Sequence, residues 1–176
     1  MARWFLTTVS LGAFLWLGCA AEPISRISLN QALVDDAKIG RVAVLTFESP
    51  MDDLQAGTHI SQLFEAHLLQ TGLYQIVERE GVKKFLKRKG WDKSLAMDRE
   101  SLRQVEEQFG VEGIILGSVS QYNRANLGFT ARLVSVKSGL VLWSISQTGG
   151  RIVRPLSQVA EETVEKAVKD LHTKIR

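Results

Sequence analysis

The reading of the fold turns on residues 111–147, VEGIILGSVSQYNRANLGFTARLVSVKSGLVLWSISQ. Three apolar-rich runs lie here: VEGIILGSVSQY, GFTARLVSVKSG and LVLWSISQ. Each is rich in Val, Ile and Leu and is bounded by Gly, Asn or Ser, the pattern of β-strands rather than of a helix. The second and third are joined by KSG, residues 137–139, a hairpin connection with glycine where a positive φ is needed. Connections this short join antiparallel neighbours, so the stretch predicts a three-stranded antiparallel meander.

Upstream the pattern changes. GRVAVLTFESP, residues 40–50, is short, valine-rich and closed by Pro50, which suits a strand buried on both faces. In the next run, Ile60, Leu63, Phe64, His67 and Leu68 recur at helical spacing until Gly72. LYQIVER reads as a second short strand, and EGVKKFLKRKG as a helix with Val82, Phe85 and Leu86 on one side. DRESLRQVEEQFG reads as another helix, with Asp98 as N-cap and Gly110 as stop. Downstream of the meander, residues 156–175 form a long amphipathic helix; Val159, Ala160, Val164, Ala167, Val168 and Leu171 lie on its apolar face. The order is β-α-β-α-α-β-β-β-α. Strands alternating with helices run parallel and the meander antiparallel, so the expected fold is α/β, a single mixed sheet with helices packed on it.

The chain has 176 residues, of which 45% are hydrophobic and 23% charged, with a formal net charge of +3. That is one domain of ordinary size with a short leader. The charge is too weak and scattered for a nucleic-acid partner. Its densest basic run, KKFLKRKG at residues 83–90, reads as the solvated face of a helix. The only cysteine, Cys19, cannot form a disulfide within the chain. It ends an apolar run from Trp4 to Gly18 that follows Arg3. A positive start, a short apolar core and a small final residue describe a secretory signal, and the run is shorter than the ~20 residues a spanning helix needs. Residues 14–23, FLWLGCAAEP, also resemble a bacterial lipobox, with Gly18 in the small position before Cys19. This implies cleavage between Gly18 and Cys19 and acylation (palmitate among the acyl groups) of the new N-terminus. Ala20, where an aspartate would imply inner-membrane retention, implies the periplasmic face of the outer membrane. Residues 1–18 are thus expected to be a lipoprotein signal peptide, 19–38 the lipidated Cys and a flexible tether, and 39–176 the folded domain.

No catalytic constellation stands out. His59 and His67 lie eight apart on one predicted helix without a cysteine or convincing carboxylate ligand, so no metal site or cofactor is expected. There is no G-x-S-x-G elbow and no P-loop lysine. Asp52 and Asp53 follow the first strand where α/β sheets often bind ligands, although such neighbours more often cap a helix.

RVAVLTFES, AGTHISQLFEAHLLQTGLYQIVERE, FGVEGIILGSVSQY and ARLVSVKSGLVLWS together resemble the CsgG family of bacterial periplasmic lipoproteins, over about residues 40–146. The resemblance implies a domain related to the amino-terminal domain of TolB, oligomers, and service in secretion or envelope assembly. Pore-forming members insert long hairpins, and a membrane-crossing strand needs about 9–11 residues. Here NRANLG, KSG and TGGRIVRP are the only connections available, too short for such hairpins. The implied role is therefore a non-enzymatic, outer-membrane-anchored accessory or scaffold that binds envelope or secretion proteins, with self-assembly into a ring, as in the PelC branch, as a second reading. One alternative is an activator of a peptidoglycan synthase, as in the LpoB branch. Another is a small-molecule-binding domain at Glu48 to Asp53. Trp91 and Trp143 are the candidate interface residues, with core packing the competing reading of each.

Overall fold

The computed structural model describes residues 24–49, 53–90, 98–123, 126–150 and 155–176. Six strands form one mixed sheet. They are β1 (Ile24–Leu29), β2 (Arg41–Val44), β3 (Gln75–Ile76), β4 (Gly113–Tyr122), β5 (Asn126–Ser135) and β6 (Val141–Gly150). The helices are α1 (Gln31–Ala37), α2 (Ala56–Thr71), α3 (Arg79–Lys89), α4 (Arg99–Phe109) and α5 (Leu156–Ile175). The sheet order is β1-β6-β5-β4-β2-β3. As expected, β2 pairs in parallel with β3 and β4, while β4, β5 and β6 pair antiparallel.

The α/β class and the mixed sheet are as the sequence predicts, and the described β2 core explains why. Val42, Ala43 and Val44 are fully buried. Val42 and Val44 join the core beneath α2 and α5, and Ala43 joins the one beneath α3 and α4. A strand with helices on both sides has no solvent face, so its sequence loses polar alternation. β4 repeats the device with Ile114 toward one core and Ile115 toward the other.

The larger core holds an aromatic cluster. Phe64 of α2 meets Phe47, Phe129 and Trp143 at ring-centroid distances of 5.8, 6.3 and 6.4 Å. α2 can sit this close to the strand end because residue 57 is glycine. A Cβ there would lie 1.9 Å from the Phe47 carbonyl oxygen. The hairpin glycine, Gly139, has φ +71°, the conformation expected of it. Asp98 caps α4 as predicted, its carboxylate accepting the Ser101 N–H at 2.7 Å. α5 covers residues 156–175 and buries the predicted stripe.

The stretch expected to be a flexible tether is different. Residues 24–37 form β1 and α1, and β1 pairs with β6 from Ile24↔Thr148 to Leu29↔Trp143. Further hydrogen bonds hold this segment. The Ser25 hydroxyl lies against the fully buried Gln147 amide and donates to Asp170 of α5 at 2.6 Å. Asn30 caps α1 by accepting the Leu33 N–H, and its own N–H reaches the Leu142 carbonyl. The domain therefore starts about fifteen residues earlier than the sequence reading placed it.

Candidate functional site

The carboxyl ends of β2 and β4 are where an α/β sheet most often binds a ligand. Here the Glu48 backbone bridges in parallel to β4 at Ser118, while its side chain is exposed; the Ser49 and Asp53 side chains serve the fold. The Ser49 hydroxyl accepts the Gly57 N–H at 2.8 Å and donates to the Leu54 carbonyl at 3.0 Å. Asp53 accepts the N–H groups of Gln55 and Ala56, so it fixes the turn leading into α2, whose N-cap residue is Gln55. Asp52 lies outside the described residues. With Gly57 pressed against Phe47, the described part of this end is closed by α2 itself.

His59 and His67 are separated and each has its own partner. His59 Nδ1 contacts the Tyr122 hydroxyl at 2.6 Å, with the rings edge-on at 6.0 Å. Burial, and secondarily the charge of Asp53, raise the Tyr122 pKa. His67 Nε2 contacts Glu161 at 2.8 Å and ties α2 to α5. Among the described residues no group of three or more His, Cys, Asp or Glu could hold a metal ion, and no helix is long and apolar enough to cross a membrane.

Trp143 is not available to a partner. It is 1% exposed on β6, and its indole N–H donates to the Tyr74 hydroxyl at 3.1 Å. The reason is register: Trp143 shares a row with Leu133 of β5 and faces α2, whereas its neighbour Ser144 points to the other side of the sheet. Its candidacy as an interface residue is therefore overturned. Gly18, Cys19 and Trp91 lie outside the described residues.

What the surface offers instead is apolar side chains near the two edges of the sheet. β1 is one edge, bonded only to β6, and Ile24 on it is 62% exposed. β3, two residues long, is the other edge. Beside it Leu69 is 61% exposed and, with Ile76, Ala66, Glu65 and Arg79, lines a groove of about 360 Å³. Leu54, before α2, is 75% exposed. An unpaired strand edge is a template for another chain, and the two edges here are chemically unlike. Sequence reasoning missed Leu69 because an exposed leucine on an amphipathic helix has the same local pattern as a buried one, and Ile24 because it lies in the stretch expected to be a tether.

The family model for the curli production assembly/transport component CsgG matches residues 40–129, more than half of the chain. The chain belongs to the CsgG family. The matched stretch runs from the start of β2 into β5 and so contains α2, α3 and α4 but not α5. Among solved structures the fold is similar to the PelC dodecamer from Paraburkholderia phytofirmans, with a TM-score of 0.62 and 20% identity over 86% of this chain and 98% of that one. It is also similar to lipoprotein GNA1162 from Neisseria meningitidis, with a TM-score of 0.56 and 21% identity over 78% of this chain and 99% of that one. The LpoB C-terminal domain from Escherichia coli aligns with a TM-score of 0.50 and 14% identity over 69% of this chain and 95% of that one. No curated protein matches the chain in direct sequence comparison.

Proposed function

We propose that this CsgG-family chain is a lipid-anchored accessory protein of the bacterial envelope. It acts without catalysis, by binding proteins, including copies of itself, in secretion or envelope assembly. The family match over residues 40–129 carries this reading. Ser49 and Asp53 at the strand ends support it, because their side chains are engaged by backbone groups leading into α2.

Self-association follows from the two unlike edges. A contact between the β1 edge of one copy and the Leu69 groove of the next is head-to-tail, and head-to-tail contacts close into rings when the rotation permits. The PelC structure is a dodecamer, which makes a ring the favoured closed form here.

The anchor is Cys19, acylated at the periplasmic face of the outer membrane after cleavage at Gly18. Because β1 begins at Ile24, five residues beyond Cys19, the linking chain reaches at most about 18 Å. Two or three acyl chains at ~0.8 kcal/mol per buried CH₂ give firm attachment. The domain is thus held close to the bilayer, not on a long leash.

Light scattering of the detergent-solubilised full chain tests the assembly. A mass several times that of one chain is expected, and a monomer at all concentrations contradicts it. Cys19→Ser is expected to move the protein out of the outer-membrane fraction, and retention there would remove the anchor from the account.

A further inference from the structure

The basic run at residues 83–90 is more than a solvated helix face. α3 carries six basic side chains, Arg79, Lys83, Lys84, Lys87, Arg88 and Lys89, against one carboxylate, Glu80. Their surroundings differ. Arg79 pairs with Glu65, Lys83 with Glu80 at 3.7 Å, and Lys89 sits 5.7 Å above the Phe85 ring. Among the described residues Lys84, Lys87 and Arg88 have no ion-pair partner. Spaced i, i+3 and i+4, these three share one face of the helix. The nearby Glu78 carboxylate accepts the N–H groups of Glu80 and Gly81 and also feels the charge of Lys84, so Lys87 and Arg88 are the two least compensated cations of the face.

That face borders a shallow groove. Lys84, Lys87 and Arg88 line a groove of about 740 Å³ whose other wall is Gln108 and Phe109 at the end of α4. Phe109 is held edge-on against Phe85, with ring centroids 5.6 Å apart, and remains partly exposed. Gly81 adds no side chain to the groove, and a Cβ there would come within 3.4 Å of the Phe109 ring. The result is an aromatic surface bordered by three cations, of which Lys84 also feels the Glu78 carboxylate while Lys87 and Arg88 have no ion-pair partner among the described residues, large enough for several residues of an extended peptide.

We propose that the α3–α4 groove docks an acidic peptide segment of a partner protein, with an aromatic or apolar side chain on Phe109 and flanking carboxylates against Lys84, Lys87 and Arg88. This deepens the reading of the chain as a protein-binding accessory by naming the chemistry of the partner. Charge complementarity selects the carboxylates, since an arginine or lysine without a partner gains most from an acid. Phe109 is held against Phe85 and only partly exposed, which suits contact with a single peptide side chain better than insertion into a bilayer.

The test uses the full chain in mild detergent and a fluorescein-labelled EEWEE peptide, read by fluorescence anisotropy. Binding is expected at low salt and weaker at about 0.15 M, where the Debye length is about 8 Å. Lys84→Glu with Arg88→Glu should weaken it by about tenfold or more, while thermal melting stays unchanged because both side chains are at the surface. Replacing the peptide's tryptophan by glycine should also weaken binding. Equal affinity for EEGEE would overturn the groove, because only charge would then be read. Binding to phosphatidylglycerol vesicles that EEWEE does not compete would overturn it in favour of a membrane surface. Loss of the oligomer in the same double variant, without peptide binding, would assign the face to a second copy. No peptide binding by an intact oligomer would refute the groove alone; no binding by a monomer would refute both it and the assembly proposed above.

Discussion

Trp143 offers the sharpest test of the fold's interior. The indole is 1% exposed, packs 6.4 Å from the Phe64 ring and donates its N–H to Tyr74 at 3.1 Å. Trp143→Ala removes the whole ring from the larger core and is expected to cost about 3–5 kcal/mol. Trp143→Phe keeps an aromatic ring but leaves the Tyr74 hydroxyl, itself pushed to a higher pKa by burial, without its donor. An unsatisfied buried polar group costs about 1–3 kcal/mol, so Trp143→Phe should lower the melting temperature by roughly 2–10 °C in a chain of this size. Tyr74→Phe in the same protein removes the orphaned hydroxyl, so the double variant should be more stable than the sum of the two single losses by about 1 kcal/mol. Urea unfolding followed by far-ultraviolet circular dichroism measures all three without relying on tryptophan emission. If Trp143→Ala left stability within ~0.5 kcal/mol of the parent while abolishing partner binding, the indole would be a surface group and the packing described here would be refuted.

Two further outcomes are expected. Gly57→Ala places a methyl group where only 1.9 Å separates it from the Phe47 carbonyl oxygen, so α2 must move; a loss of about 2–3 kcal/mol is expected in urea unfolding, and an unchanged midpoint would show that α2 does not pack on this strand end. Glu112 accepts the N–H groups of Gly40 and Arg41, which lowers its pKa below the ordinary 4.5. Its contribution is complete above that ordinary value and is lost as pH falls through the lowered folded-state value, so Glu112→Gln should flatten the acid limb of the stability profile while a parent-like limb would exclude Glu112 as a source.

Sequence patterns carried the elements whose signals are local. Asp98 and Gly110 bracket α4, Gly139 marks the hairpin, and the 3.6-residue stripe of α5 runs uninterrupted from Leu156. β1 and α1 were illegible for a physical reason. β1 alternates only between exposed and half-buried positions, α1 buries no residue fully, and what orders them is pairing with β6 more than 110 residues away. Asn30 followed by Leu33, Val34 and Ala37 was the one local hint of a capped helix. Trp143 shows the converse limit: a tryptophan on an apolar strand has one pattern whether it faces a core or a partner, and only the register against Leu133 decides. The α3 groove needed Phe109, twenty-one residues beyond Arg88, to become visible at all.

The central claim is a CsgG-family domain held to the envelope by its first mature residue. Intact mass and N-terminal peptide mass of the protein extracted from the membrane fraction test it most directly. The account predicts a chain that begins at Cys19 and carries diacylglyceryl and N-acyl groups. A chain that retains residues 1–18, or begins elsewhere with an unmodified thiol at Cys19, would contradict it.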